Sequence, residues 1–380
     1  MPKTVLLVTT VGWPSVPRYA AGFAAAGCRV EAFAPPGAPV AQSRYVARHH
    51  AYEPFLPLQS LRRAVEDSAP GLLVACDDRA VTHLLKLHES GGAIADLIAR
   101  SLGDVMAYGG MMSRAACLSA MKDMGVRVPD TFAAVDDREL DAALDRIGFP
   151  AVVKSDGSWG GEGVIVANDR AAAQAAFRKL SLPPSRLRSL VRSLRRRDAH
   201  FLIDAIRPQT RAISVQRYVE GTPAASAFAA WRGEVVGLIA YDVLVADATI
   251  GPPNVIRRVD CPEMEAATRA AAKRFGLSGL HGLDFIRDRD GKVHLLEINP
   301  RGTQGGTLAF GPGRDLPAAL ANAAFGNVAG MRRAIANDTV VLFPRQWRND
   351  PTSDWLKRGH HDVPWDDPAV LRAALGVSGR

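Results

Sequence analysis

Short apolar runs alternate with segments of helical spacing over the first hundred residues. The β-branched apolar run at 4–10 ends at Gly12 and Pro14, which predicts a buried strand followed by a loop. Together the predicted elements are strands at 4–10, 29–33 and 71–76, a helix at 18–26, and a helix that ends at 87. Strands and helices that alternate in this way predict a small doubly wound α/β unit.

The remaining pattern continues the α/β alternation up to about residue 300. Helices are predicted at 113–124, 169–180, 185–197 and 263–275, and strands at 151–154, 164–167, 213–219, 234–240, 283–286 and 293–298. The last two strands form a predicted hairpin across Asp288-Arg289-Asp290-Gly291. The last forty residues follow no regular period and are expected to be irregular.

Composition narrows the classes of function. The chain has 380 residues, a net charge of +8, 47% hydrophobic residues and four scattered cysteines. Neither a disulfide framework nor a thiolate zinc site is expected, and no apolar stretch approaches the roughly 18 residues that a membrane span needs. No basic patch is interleaved with aromatic residues, so the basic charge fits small anions at least as well as nucleic acid. A cytoplasmic protein that binds neither nucleic acid nor membranes is expected.

A glycine-rich loop joins the predicted strands at 151–154 and 164–167. Its glycines, Gly157, Gly160, Gly161 and Gly163, allow backbone N–H groups to converge on an anion, and Lys154 at its start can place a cation on the same phosphate. No Lys-Ser/Thr pair ends the loop, so it is not a Walker A motif. A simple flexible hairpin connection is the alternative.

The late hairpin carries a set of oxygen ligands. Glu297 and Asn299 lie two residues apart on one predicted strand, so they point to one face, and Asp284 lies on the other strand. Two carboxylates and an amide oxygen are ligands that Mg²⁺ accepts alongside phosphate oxygens. Arg301 follows two residues later and can stabilise charge on a transferring phosphoryl group. The alternative is an ordinary hairpin with a polar outer face.

Two further features remain open between a functional and a structural role. The Asp77-Asp78 pair ends a strand at the sheet edge where ligands bind in α/β folds, although a helix N-cap explains it as well. The arginine-rich segment at 185–197 can hold an anionic substrate or present a solvated basic face.

In their order along the chain, these motifs resemble the ATP-grasp superfamily, which includes biotin carboxylase and the carbamoyl phosphate synthase large subunit. The matching segments are Ser113-Arg114, Phe149-Pro150-Ala151-Val152-Val153-Lys154 with the glycine-rich loop, Gln216-Arg217-Tyr218-Val219-Glu220-Gly221, Leu283-Asp284-Phe285 and Leu296-Glu297-Ile298-Asn299-Pro300-Arg301. The resemblance covers about residues 1–330.

The resemblance implies roles for individual residues. The phosphates of ATP would contact Arg114, Lys154 and the glycine-rich loop, whereas adenine would meet the segment Gln216-Arg217-Tyr218-Val219. One or two Mg²⁺ (or Mn²⁺) ions would be held by Asp284, Glu297 and Asn299, and Arg301 would act on the phosphorylated intermediate. Arg114 and Gln216 stand where many members carry Lys and Glu, and Gly221-Thr222-Pro223-Ala224 lacks the acid that often binds ribose.

The resemblance also implies a fold and a reaction. The expected fold is α/β, with a small Rossmann-like pre-grasp domain at 1–110, an ATP-grasp domain at 111–330 whose mobile lid spans about 130–220, and an irregular tail at 331–380. The expected enzyme is an ADP-forming ligase that joins a small carboxylate to an amine or a similar nucleophile, and a homodimer is possible. The alternatives are an ATP-grasp kinase and a nucleotide-binding regulatory protein with little turnover.

Overall fold

A computed structural model describes residues 3–156, 163–182, 189–191, 193, 212–247, 251–327 and 330–376. In the described residues the strands are β1 (Thr4–Val8), β2 (Arg29–Ala34), β3 (Arg48–Ala51), β4 (Leu72–Ala75), β5 (Thr131–Ala134), β6 (Ala151–Ser155), β7 (Val164–Ala167), β8 (Ile213–Arg217), β9 (Thr222–Trp231), β10 (Glu234–Ala246), β11 (Pro253–Val259), β12 (Gly279–Arg287), β13 (Val293–Asn299), β14 (Thr339–Val341) and β15 (His360–His361).

The α-helices of the same described residues are α1 (Val16–Ala25), α2 (Pro57–Ser68), α3 (Asp78–His88), α4 (Gly92–Leu102), α5 (Ala107–Met112), α6 (Arg114–Asp123), α7 (Asp137–Ile147), α8 (Arg170–Ser181), α9 (Pro262–Arg274), α10 (Leu316–Phe325), α11 (Arg345–Asn349), α12 (Trp355–Arg358) and α13 (Pro368–Leu375). The arginine-rich segment predicted as a helix at 185–197 lies largely outside the described residues. None of the described helices is long and apolar enough to cross a bilayer.

The first sheet is parallel and has the strand order β3-β2-β1-β4. Its strands β1 and β4 are buried along their whole length, as expected for strands covered on both faces. The chain leaves β1 in one direction for β2 and later returns to its other side with β4. The loops after β1 and β4 therefore diverge at one edge of the sheet, which is where ligands bind in such folds.

The second sheet is antiparallel, with the order β5-β8-β6-β7, and packs against α7 and α8. Its hydrophobic core is separate from the rest of the described molecule and contains Leu140, Leu144, Val153, Phe177 and Val215 among others. This unit, called here the small antiparallel unit, therefore has its own source of stability.

The third sheet has seven strands in the order β13-β12-β9-β10-β11-β14-β15. Two hydrophobic cores flank it, and each combines its residues with residues of the parallel sheet; Leu6 and Leu283 share one core, and Leu7 and Leu280 share the other. Packing therefore joins the first and third sheets into one body.

The C-terminal segment has more regular structure than its sequence predicts. Instead of an irregular tail, it contains β14, β15 and the helices α11 to α13, and β14 pairs with β11 of the seven-stranded sheet. Ser43 donates to the carboxylate of Asp367 at 2.6 Å, which ties the start of α13 to the loop after β2. Tertiary pairing, rather than a periodic sequence pattern, orders this segment.

Candidate active site

The hairpin of β12 and β13 brings three predicted ligands onto one face. Asp284 lies directly opposite Glu297, and Gly282 lies opposite Asn299. Residues opposite each other in an antiparallel pair share a face of the sheet. The Asn299 Nδ2 atom donates to Asp284 Oδ2 at 3.0 Å, so the amide and the carboxylate are in contact. The structure therefore assembles the three side chains, while their role as metal ligands stays a prediction.

The two facing carboxylates repel each other. Part of the Asp284 side chain is exposed to solvent, but neighbouring protein atoms crowd its carboxylate and displace water from it. This desolvation, and then the negative charge of Glu297, raise the pKa of Asp284 to about 6. A divalent cation between the carboxylates would remove this repulsion. The donor set of two carboxylates and an amide oxygen therefore fits Mg²⁺ or Mn²⁺.

Arg114, the first residue of α6, connects this hairpin to the small antiparallel unit. Its Nη2 atom lies 3.1 Å from Glu297 Oε2, and its Nη1 atom lies 2.5 Å from Asp156 Oδ1 at the end of β6. Burial alone would lower the pKa of Arg114, but the negative charges of Glu297 and Asp156 outweigh it and raise the pKa above its ordinary value. Its Nε atom is buried and has no hydrogen-bond partner among the described residues.

Lys154 on β6 is the second cation of the site. It is 7% exposed, and its Nζ atom donates to Gln216 Oε1 on β8 at 2.6 Å. The Gln216 amide in turn donates to Thr131 Oγ1 at 3.0 Å. Burial and then the neighbouring charge of Arg114 lower the pKa of Lys154 to about 8. Gln216, expected to face an adenine amino group, thus also holds Lys154 in place.

The predicted adenine segment begins where β8 ends. The N–H groups of Arg217 and Tyr218 donate to the carbonyls of Asp130 and Pro150, whereas the N–H of Val219 donates to no backbone carbonyl within the described part of the chain. In the glycine-rich loop, the carbonyl of Gly163 accepts from Ser155 at 2.9 Å. The other three loop glycines named as phosphate ligands, Gly157, Gly160 and Gly161, lie outside the described residues.

Arg301, just past β13, makes three contacts. Its Nε atom donates to Asp78 Oδ2 at 3.0 Å, and its Nη2 atom donates to Asn299 Oδ1 at 3.1 Å. Its guanidinium carbon lies 5.1 Å from the ring centre of Trp13, which is a favourable cation–π distance. Arg301 therefore links the β12–β13 hairpin to the loops at the edge of the parallel sheet.

Sequence patterns did not identify two neighbours of the site. Trp13 and Asp156 each contact a residue that the motifs predicted, yet neither has a local pattern that distinguishes it from a loop residue. Asp78, which the sequence left open between a functional and a structural role, contacts Arg301. The N-cap interpretation of Asp77 is confirmed, because its side chain accepts from the N–H of Ala80 at 2.8 Å. Asp78 beside it has its carboxylate on Arg301 instead.

Comparison with known proteins places this geometry in context. Residues 113–184 match the family model described as carbamoyl-phosphate synthase L chain, ATP binding domain. The carbamoyl phosphate synthase large chain of Gemmatimonas aurantiaca is 26% identical over 183 residues, which are 48% of this chain and 15% of that protein. The chain thus corresponds to a small part of the curated relatives it matches.

Solved structures share the fold over most of the chain. A biotin carboxylase from Campylobacter jejuni, solved as a β-γ-ATP complex, has a TM-score of 0.63 and 13% identity over 86% of this chain and 72% of its own. An L-amino acid ligase from Bacillus licheniformis has a TM-score of 0.56 and 15% identity over 85% and 74%. At such low identities, these likenesses establish a common fold.

Proposed function

Because the chain belongs to the ATP-grasp superfamily, we propose that it binds Mg²⁺-ATP and uses it to activate a small carboxylate for joining to an amine. The observation that carries this proposal is the placement of Asp284, Glu297 and Asn299 on one face of the hairpin, with Arg301 bound to Asn299. Such a set of oxygen ligands beside a fixed cation suits phosphoryl transfer.

The residues divide into three roles. Asp284, Glu297 and Asn299 would hold Mg²⁺ or Mn²⁺, which when bound neutralises charge on the nucleotide phosphates. Arg114, Lys154 and the glycine-rich loop would contact those phosphates. Segment 216–219 would meet adenine, and the N–H of Val219 supports this because no backbone carbonyl in the described part of the chain uses it.

The proposed reaction has two steps. A carboxylate oxygen of the substrate attacks the γ-phosphorus, the bond to the β-phosphate oxygen breaks, and an acyl phosphate and ADP result. A neutral amine then attacks the acyl carbon, phosphate leaves, and the amine loses a proton as the amide forms. Arg301 would stabilise negative charge on the transferring group, because its guanidinium is already held next to the metal-ligand face.

The domain organisation stays a proposal as well. Residues 1–110 would be the Rossmann-like domain before the ATP-grasp domain, which the parallel order of the first sheet supports. Residues 111–330 would be the ATP-grasp domain and about 130–220 its lid, which the separate core of the small antiparallel unit supports. Lid closure would keep water from the acyl phosphate.

Replacement of Glu297 by Gln tests the proposal. This change keeps the side-chain volume but removes one charge from the proposed metal site, so ADP release should fall by about a hundredfold or more. Mg²⁺-ATP should also raise the melting temperature less than in the parent protein. Glu265→Gln on α9 is the matched control, because it removes the same charge from an exposed pair with Arg269 and should leave both values unchanged.

The outcomes separate the proposed ligase from its alternatives. Parent-like ADP release by Glu297→Gln would contradict the site assignment. Phosphate that appears with ADP only when a carboxylate and an amine are both present supports a ligase. A phosphorylated product without free phosphate would indicate a kinase, and nucleotide binding without turnover would indicate a regulatory protein.

A further inference from the structure

Asp78 reaches the site from a distant part of the chain. It is the first residue of α3, it stands 223 residues before Arg301, and its carboxylate lies 3.0 Å from the Nε atom of that arginine. Both side chains are partly buried, with 13% of Arg301 and 28% of Asp78 exposed. An ion pair shielded in this way constrains the two side chains more than a fully exposed pair would.

Hydrogen bonds hold the backbone around Asp78 in place. Its neighbour Asp77 is fully buried and accepts hydrogen bonds from the hydroxyl groups of Thr9 and Thr10. It also accepts from the backbone N–H groups of Thr10 and Ala80. This network ties the end of β1 to the start of α3. The carboxylate of Asp78 therefore starts from a backbone that has little freedom.

The backbone beside Arg301 is attached to the same sheet edge. The N–H of Gly302 donates to the carbonyl of Ala75, the last residue of β4, at 3.1 Å. The arginine and its partner thus share one anchoring point, so their relative position depends on the parallel sheet rather than on the hairpin alone.

The contacts leave part of the guanidinium for a ligand. A guanidinium carries five N–H groups; Asp78 takes the one on Nε, and Asn299 takes one on Nη2. Within the described residues the Nη1 atom makes no hydrogen bond. With Nε and Nη2 both bound, the plane of the guanidinium is set, and its remaining donors point in a fixed direction.

We infer that Asp78 is a positioning residue, which holds the guanidinium of Arg301 in the orientation that the chemical step requires. The inference rests on the proposed function, since it assigns Asp78 to that same reaction. Asp78 acts through Arg301 and touches no reacting atom. The parallel sheet would then determine part of the rate, although the proposed nucleotide and metal ligands lie outside it.

A purely structural role for Asp78 is the competing explanation. A carboxylate in the first turn of a helix interacts favourably with the helix dipole. Asp137 provides a matched comparison, because α7 is also an 11-residue helix and begins with the same arrangement: the N-cap Asp136 accepts from a backbone N–H and Asp137 follows it. Asp137 is exposed and has no arginine partner within the described residues.

The test compares steady-state kinetics of Asp78→Ala and Asp137→Ala under conditions where the parent turns over ATP. Asp78→Ala should lower kcat at least about tenfold while the KM for ATP changes less than about twofold, because a transition-state contact is weakened. Asp137→Ala should leave both parameters within about twofold of the parent. In an Arg301→Ala background, Asp78→Ala should lower kcat by less than about twofold further, since its target is gone.

Each result decides the inference. An unchanged kcat in Asp78→Ala, or an equal loss in the Arg301→Ala background, would overturn the positioning role while the proposed function stands. A parent without ATP-dependent turnover would overturn the proposed function and the inference together. If Asp78→Ala does not fold, Asp78→Asn keeps the volume and removes the charge, and it should still lower kcat about threefold or more.

Discussion

At the residue scale, the site depends on charges that the protein holds away from water. Glu297 and Asp156 flank Arg114 and raise its pKa, whereas the pKa of Lys154 falls to about 8 because burial outweighs its favourable neighbours. A lysine with such a pKa is protonated below pH 8 and neutral above it. The charge that Lys154 would present to a nucleotide phosphate therefore changes within an accessible pH range.

This property predicts a pH dependence of nucleotide use. As pH rises through about 8, Lys154 loses its charge in the free protein, so kcat/KM for ATP should decline. Lys154→Met should have a lower kcat/KM that stays level over the same range, because the titrating group is absent. Profiles between pH 6.5 and 9.5 would check this, and a parent profile as flat as that of Lys154→Met would contradict it.

At the element scale, the two ends of α4 differ in how closely their backbone approaches neighbouring parts of the protein. Gly91 and Gly103 flank this helix, and both have positive φ, 71° and 89°. A Cβ atom added at Gly91 meets nothing within 4 Å, whereas one at Gly103 would lie 2.0 Å from the carbonyl oxygen of Gly276. Only the second glycine allows a close backbone approach.

Alanine at the two positions should therefore have unequal effects. Gly91→Ala should lower the free energy of unfolding by about 1–3 kcal/mol through backbone strain alone. Gly103→Ala adds a steric clash and should cost about 1–3 kcal/mol more. Urea unfolding of both variants would measure the difference, and equal losses would show that the contact between Gly103 and Gly276 relaxes without cost.

Among the strands, some could be predicted from the sequence and others could not. The β12–β13 hairpin was predictable, because alternating apolar residues flank a turn that contains Asp288 and Gly291. The shared face of Asp284, Glu297 and Asn299 follows from that alternation. Strand β9 was missed: its run of alanines has weak strand propensity, and its central position comes from pairing with β10 and β12. The contact of Asp78 with Arg301 was equally inaccessible, since packing between distant elements creates it.

At the scale of the whole molecule, the distribution of hydrophobic cores has a consequence for how the fold opens. The parallel and seven-stranded sheets share two cores, so neither can lose its packing without exposing residues of the other. The small antiparallel unit has a core of its own. The described molecule should therefore contain two cooperative unfolding units rather than one or three.

Native-state hydrogen exchange would reveal these units. Amides of Val153 and Val215 should exchange through a local opening whose free energy is lower than that of global unfolding, whereas amides of Leu6 and Leu283 should exchange only when both large sheets open together. The free energies of the local opening and of the global opening should remain distinct at low concentrations of urea. The small antiparallel unit, which carries Lys154 and Gln216, could then unfold and refold while the β12–β13 hairpin stays intact. One half of the proposed nucleotide site would then persist without the other.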